Sequence, residues 1–291
     1  MNISEIIKLM RPHQWIKNLF LFLPMFFGNQ MFDGECLLSV SIAFAAFSLL
    51  SSSVYCFNDI QDYALDKLHP EKRLRPLASG KVSVKQAYMS MIILATAAFG
   101  ILAFLGIPKA LYIALLYYVI NLLYCIKLKN IALVDIFIVS FGFVLRIFIG
   151  GAASGVELSM WIILMTFLLS LFIAFSKRLD DSRIFMNKKV ALRRNISGYS
   201  PDFILFSLST ICAITIVCYI MYTIDDEVKQ RVSGEYLYIT SLFVLLGMLR
   251  FMQFAVVKMN SSSPTKILLK DRFIQICILL WILSFSVLLY M

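Results

Sequence analysis

NDIQDYALDKLHPEKRLRPLASG, residues 58–80, follows an apolar run long enough to cross a bilayer and ends it with charge. Asp59, Asp62, Asp66 and Glu71 stand beside Lys67, Lys72, Arg73 and Arg75. Asp59, Asp62 and Asp66 are spaced i, i+3 and i+7, and Asn58 precedes Asp62 by four residues, so a helix places all four on one face. Like charges at this spacing repel by roughly 0.2–0.5 kcal/mol per pair even in water. Something positive is therefore expected between them. Hard carboxylate oxygens in this pattern suit Mg2+, which takes oxygen ligands and commonly binds through one or two carboxylates plus phosphates. Lys72, Arg73 and Arg75 follow at once and are placed to hold phosphates.

The rest of the chain says where this cluster sits. The 291 residues are 60% apolar, which indicates an all-α polytopic membrane protein rather than soluble domains. Nine apolar spans are expected, at about 15–31, 37–56, 86–106, 109–126, 131–150, 158–175, 203–223, 236–256 and 273–290. Each suits a hydrocarbon core about 30 Å thick. No long linker interrupts them, so residues 1–291 are read as one transmembrane domain. LFLFLPMFFGNQMF lacks a convincing small-residue cleavage site, and no signal-peptide cleavage is expected.

Loop cations set the orientation. With the N-terminus inside, the inner segments carry 22 Lys and Arg and the outer loops carry 3, namely Lys109, Lys229 and Arg231. The N-terminus is therefore expected in the cytoplasm and the C-terminus on the far side of the membrane. The net charge of +10 belongs to the inner face, where it also favours anionic headgroups. Nucleic acid is excluded as a partner, because no soluble basic domain exists to carry it. The six cysteines are scattered, mostly within spans, and are expected to be small core residues. His13 and His69 are isolated and expected to be satisfied or solvent-facing.

A weak repeat relates spans 1–4 to spans 5–8, with the ninth added. Spans 2 and 6 both run inward and end in polar segments, FNDIQDYALD and FSKRLDD. Parallel repeats of this kind would turn the two segments towards one cavity open to the cytoplasm. Lys177, Arg178, Asp180 and Asp181 form the second segment; by themselves they also read as a solvated helix end. Three other places stand out. Asp135 lies just inside span 5, after Tyr124, Lys127 and Lys129, and a structural Asp135–Lys129 pair is one reading of it. Arg146 is deeper in that span, where an ionisable group is a site candidate by default. RPHQWIKN places Arg11, Gln14, Lys17 and Asn18 near one helical face entering span 1.

These segments resemble the UbiA superfamily of intramembrane prenyltransferases. NDxxDxxxD at Asn58–Asp66 is similar to its first acidic motif. Nearly the whole chain resembles one branch, the decaprenyl-phosphate phosphoribosyltransferases. The likeness runs through RPHQWIKNLFLFLP, NDIQDYALDKLHPEKRLRPLASG, YCIKLKNIALVDIFIVSFGFVLRIFIGGAASG, FIAFSKRLDD, LRRNISGYSP and SPTKILLKDRFIQ. The resemblance implies nine transmembrane helices around a central cavity open to the cytoplasm, in a bacterial-type inner membrane. It implies Mg2+-dependent transfer of 5-phosphoribose from phosphoribosyl diphosphate (PRPP) to a polyprenyl phosphate in the bilayer, with loss of diphosphate, for cell-envelope polysaccharide precursors. Asp59 and Asp62, assisted by Asn58 and Asp66, would hold the metal. Lys17, Lys72, Arg75, Lys129, Lys177 and Arg178 would hold phosphates, with Asn18, Tyr124, Asp135, Arg146 and Asp180 as further site candidates.

One departure matters. Ordinary prenyltransferases carry a second aspartate-rich motif after span 6, whereas this chain has SKRLDD, with cations first. The phosphoribosyl branch usually follows its KR pair with an aromatic residue and a glutamate; here Leu179, Asp180 and Asp181 follow. A prenyl transfer from a prenyl diphosphate to an aromatic or other small acceptor is the second reading, and a transporter with a midplane ion site the third. A homo-oligomer is compatible with the sequence.

Overall fold

Proline and a left-handed residue decide how the chain begins. The computed structural model describes residues 3–68, 72–188, 195–231, 236–257, 267 and 270–290, with backbone alone at 187–188, 230–231 and 289–290. His69 and the expected inner-face cations Lys189, Arg193, Arg194, Lys258 and Lys266 lie outside the described residues. Helix α1 (Ile3–Met10) ends at Arg11, whose backbone is left-handed (φ 54°, ψ 58°). A 3-10 helix then runs Pro12–Phe22 and passes into the short α2, Leu23–Phe27. The expected first span, 15–31, is thus not one long α-helix. Pro12 at the start and Pro24 at the change of winding each lack an N–H to donate.

Seven described helices are long and apolar enough to cross a membrane. They are α3 (Gly34–Leu68), α4 (Val84–Phe104), α5 (Pro108–Ile126), α6 (Val134–Ser154), α7 (Met160–Lys188), α8 (Pro201–Ile224) and, after the short α9 (Asp226–Arg231), the run Leu237–Val256 that contains α10 (Ser241–Val256). The last expected span appears as α11, Arg272–Tyr290, of 19 residues. No strand occurs among the described residues. Local chemistry sets the starts. Ser83 and Gln86 form a capping box on α4, with hydrogen bonds of 3.2 and 2.9 Å, and Ser200 before Pro201 caps α8.

Helix α3 has 35 residues, about 52 Å at 1.5 Å per residue, so it overshoots a hydrocarbon core of about 30 Å. The overshoot is what carries Asn58–Asp66 past the apolar run without breaking the helix.

Two compact units divide the chain: 1–129 with 141–158, and 130–140 with 159–291. The break at 129/130 falls where the repeat was expected to divide, but most of α6 packs with the first unit. In the first unit α3 packs on α4 and α5, around Leu21, Val40, Phe47, Leu50, Tyr117 and Ile149. A smaller cluster, Leu9, Cys56, Leu77, Val82, Ala87 and Leu94, seats the loop after the acidic stretch. In the second unit α7 packs on α8 and α10 on α11, around Leu168, Phe172, Leu208, Ile211, Phe251 and Ile274. The cysteines are free, and all but Cys218 are buried. His13 is exposed.

In the first unit α6 touches the 3-10 helix at a glycine. A Cβ at Gly150 would run into the backbone carbonyl of Leu21, whereas one at Gly100 would meet nothing within 4 Å. Gly150→Ala is expected to lower the thermal midpoint of the solubilised protein. Gly100→Ala, in open space near the C-terminal end of α4, gains up to about 1 kcal/mol of helix propensity and should leave the midpoint unchanged or raise it.

Candidate functional site

The acidic face predicted from spacing is present on α3, and its positive partners arrive from three other segments of the first unit. Asp59 and Asp66 are buried and Asp62 is partly so. Arg11 Nη2 donates to Asp59 Oδ1 at 2.5 Å. Its guanidinium also lies over the Tyr55 ring, 5.3 Å from the centroid. Arg75 Nη1 bridges the i and i+7 carboxylates, 3.2 Å from Asp59 Oδ1 and 2.5 Å from Asp66 Oδ2. Lys129 Nζ donates to Asp62 Oδ1 at 2.6 Å and to Asn58 Oδ1 at 3.4 Å. Asp135 does not pair with Lys129, so that expectation is corrected: Lys129 sits in a 3-10 turn (Leu128–Asn130) that presents it to the acidic face of α3.

Each cation is positioned by its local backbone. Arg11 owes its direction to the left-handed turn between α1 and the 3-10 helix, a conformation uncommon for a side-chain-bearing residue and concentrated at functional sites. Arg75 opens a folded loop in which Ser79 N donates to Arg75 O (2.8 Å) and Val82 N to Pro76 O (3.0 Å). Gly80, at φ 78°, supplies the reversal. Arg11 was not among the expected phosphate-binding residues. Its left-handed backbone was hidden from the sequence; the signals were its place before Pro12 and its grouping with Gln14, Lys17 and Asn18 in RPHQWIKN.

Three aspartates and three cations make this cluster formally neutral. The donors are all hard oxygens, and Asp59 Oδ2 is buried without a hydrogen-bond partner. That oxygen fits one ligand position of Mg2+. Among the described residues no group of three His, Cys, Asp or Glu side chains stands at metal-binding distances. Lys17 and Lys72 are half-buried in the same unit, as is Tyr124 near the end of α5.

The second unit holds its own ion pair. Asp135 is 0% exposed and Arg178 4%. Arg178 Nε and Nη2 approach Asp135 Oδ2 at 2.8 and 2.7 Å. Tyr199 Oη donates to Asp135 Oδ1 at 2.6 Å and accepts from Leu133 N at 2.6 Å. Burial, and then the bond to Asp135, push the Tyr199 hydroxyl well above the usual phenol range. Arg178 is therefore engaged by a carboxylate forty-three residues away. Lys177 beside it is half-buried, and Asp180 is buried with Arg183 Nη1 3.9 Å from Oδ1. The segment is not a solvated helix end, because α7 continues to Lys188.

Asn18 and Arg146 meet in the interior of the first unit. Arg146 Nε donates to Asn18 Oδ1 (2.9 Å), Nη1 to Gly142 O (2.7 Å) and Nη2 to Tyr117 Oη (3.3 Å). Asn18 Nδ2 donates to Ser48 and Ser51 at 3.0 and 3.3 Å. From Ser51 to Asp59 is eight residues of α-helix, about 12 Å. The spacing removes Arg146 from the acidic cluster, and it is not a contact of that cluster.

Residues 19–274 match the UbiA prenyltransferase family, and the chain belongs to it. A protein of Mycolicibacterium smegmatis named decaprenyl-phosphate phosphoribosyltransferase is 33% identical over 96% of this chain and 91% of its own length. Its namesake in Corynebacterium glutamicum is 31% identical over 95% and 84%. The solved structure of a UbiA homologue from Archaeoglobus fulgidus bound to GPP and Mg2+ superposes with a TM-score of 0.72 over 99% of this chain and all of that one, at 19% identity. That likeness shows the fold. With the family and the apolar helices together, the chain is a multi-pass membrane protein.

Removing one partner of the Asp135–Arg178 pair leaves a buried charge unmatched, at about 3–5 kcal/mol. Asp135→Ala should therefore unfold well below the parent protein in a thermal melt. The double variant Asp135→Leu with Arg178→Met should regain most of the loss.

Proposed function

We propose that this protein transfers 5-phosphoribose from PRPP to a polyprenyl phosphate of decaprenyl type and releases diphosphate, making it a pentosyltransferase of the membrane. The observation that carries this reading is the end-to-end likeness to the decaprenyl-phosphate phosphoribosyltransferases. The cation-rich acidic cluster supports it. In the reaction the C1–O bond to diphosphate breaks and a phosphate oxygen of the acceptor bonds to C1. Asp59 and Asp62, with Asn58 and Asp66, would hold Mg2+, which supplies charge neutralisation of the leaving diphosphate.

The chain's own groups do the rest. Arg11, Arg75 and Lys129 stand on the same face as the carboxylates and have further N–H groups to offer phosphate oxygens. Charge-assisted contacts of this kind favour the state in which negative charge moves onto the leaving group. Lys17 and Lys72 are further candidates in the first unit, and Lys177 in the second, where Arg178 and Asp135 fix the helix that carries it. The acceptor is already an anion, so no strong general base is needed. Helices α4 and α5 carry exposed Ile92, Ile93, Leu115 and Leu116, apolar sides suited to lipid and to a polyprenyl tail. The loop cations support the N-terminus and the acidic cluster on the cytoplasmic side, and the likeness to the decaprenyl-phosphate phosphoribosyltransferases supports an inner membrane location.

The deciding measurement is turnover by purified protein. Labelled PRPP is offered with polyprenyl phosphate and, separately, a prenyl diphosphate with an aromatic acceptor, each with and without Mg2+. A labelled lipid from the first pair alone, lost on chelation, is expected; product from the second pair alone would replace this reading by prenyl transfer. Asp59→Asn and Asp62→Asn should each lower turnover by at least about 100-fold. Arg11→Gln should raise KM for PRPP about tenfold or more, the loss of one charge-assisted hydrogen bond of about 1.5–3 kcal/mol.

A further inference from the structure

The 3-10 helix Pro12–Phe22 is eleven residues long, and runs of that winding beyond about 3–4 residues are uncommon because their hydrogen bonds are poorer. Something outside the helix must hold it. Its three residues per turn stack side chains at i, i+3 and i+6, which sorts the segment into rows. Pro12, Trp15, Asn18 and Leu21 form the inner row: Trp15 Nε1 donates to Ser52 Oγ at 2.9 Å, Asn18 reaches Ser48 and Ser51, and Leu21 is fully buried. His13, Ile16 and Leu19 form an exposed row. Gln14, Lys17 and Phe20 form the third, and Phe20 packs edge-on against Phe143 of α6 at 5.0 Å. Asn18 thus falls on a different row from Gln14 and Lys17, and the single face expected from α-helical spacing is corrected by the winding.

The segment runs antiparallel to α3, and the two rises agree in this winding. From Arg11 to Asn18 is seven residues, about 14 Å at 3-10 rise but about 10.5 Å at α-helical rise. From Asp59 back to midway between Ser48 and Ser51 is about 14 Å of α3. With the 3-10 winding the two lengths agree, as Asn18 meets the serines and Arg11 meets Asp59. An α-helical segment would span about 3.5 Å less over the same seven residues.

Arg146 meets this segment from the other side. It is 5% exposed and lies inside a span, where a charged residue costs about 2.5–3.5 kcal/mol at the centre on insertion scales. Among the described residues no carboxylate pairs with it. Its partners are Asn18, the Gly142 carbonyl, the Tyr117 hydroxyl and the rings of Phe47, Tyr117 and Phe143 at 5.0–5.2 Å. By occupying Asn18 Oδ1, Arg146 leaves the Asn18 amide N–H groups to the two serines, and Gly150, one turn further on, admits the Leu21 carbonyl.

We propose that Arg146 is a positioning residue: through Asn18 it holds Pro12–Phe22 in 3-10 winding, and so sets Arg11 against Asp59 and Lys17 in the adjoining row. The part concerning substrate rests on the phosphoribosyl-transfer reading; the part concerning the helix does not.

The test reads amide hydrogen exchange of residues 13–22 in the solubilised full chain without substrate, alongside steady-state kinetics. Arg146→Met should speed exchange in that segment by about tenfold or more while α4 and α5 keep their protection. It should also raise KM for PRPP about tenfold with a smaller change in kcat. Asn18→Leu, which removes the same bond from its other end, should do likewise, and the double variant should be no worse than the worse single one. Asn18→Asp keeps an acceptor for Arg146 and should restore protection of 13–22. Unchanged exchange in Arg146→Met, additive single effects, or Asn18→Asp as unprotected as Asn18→Leu would each overturn the proposal. Should Arg146→Met fail to fold, the Asn18 pair decides it. If another donor proves to be the substrate, the exchange results stand and the KM comparison moves to that donor.

Discussion

A carboxylate at the edge of hydrocarbon has to be matched by positive charge, and the first unit is arranged around that requirement. Asp59, Asp62 and Asp66 crowd one face of α3, and each meets a cation brought from elsewhere in the chain. Arg11 comes from before the first apolar segment, Arg75 from the folded loop after α3, and Lys129 from the turn after α5. Because these partners lie up to 67 residues from the carboxylates they match, the pairing ties the N-terminal segment, the loop and the end of α5 to a single helix. A buried charge left unmatched would cost more than the pairs themselves contribute, which makes the arrangement specific as well as stabilising.

The same cations suit the proposed chemistry. A site for a diphosphate and a further phosphate needs oxygen ligands for a metal and several N–H donors close by. In this cluster both are present on one face, at formal neutrality, with one buried carboxylate oxygen unsatisfied. The second unit uses the opposite solution. Asp135 and Arg178 are closed on each other, with Tyr199 completing the carboxylate's hydrogen bonds. Two charged segments that look alike in sequence therefore differ in kind: the first is a set of shared, partly exposed pairs, the second a buried tie between α6, α7 and the segment before α8.

The acidic face was legible because helical periodicity is a local property: i, i+3 and i+7 fall together in any α-helix. Among the described residues, seven of the nine expected spans are likewise helices of spanning length, since apolar length alone decides them. The winding of the first span was not legible, because composition is blind to it. LFLFLP is apolar enough for an α-helix, yet Pro12, Pro24 and the contacts with Ser48, Ser51, Ser52 and Gly150 draw Pro12–Phe22 into 3-10 form. Arg146 was legible as an ionisable group within a span but not as a partner of Asn18, which is 128 residues away.

From the sequence alone came the membrane class and the helical acidic face, which follow from composition and local spacing, and the family resemblance, which implied the cations eligible to meet phosphate. Which cation meets which carboxylate was decided only by the tertiary structure. So were the pairing of Arg178 with Asp135 rather than with solvent, and the difference of row between Asn18 and Lys17. The reason is physical: a charge seeks its partner through space, and the distance along the chain places no bound on where that partner comes from.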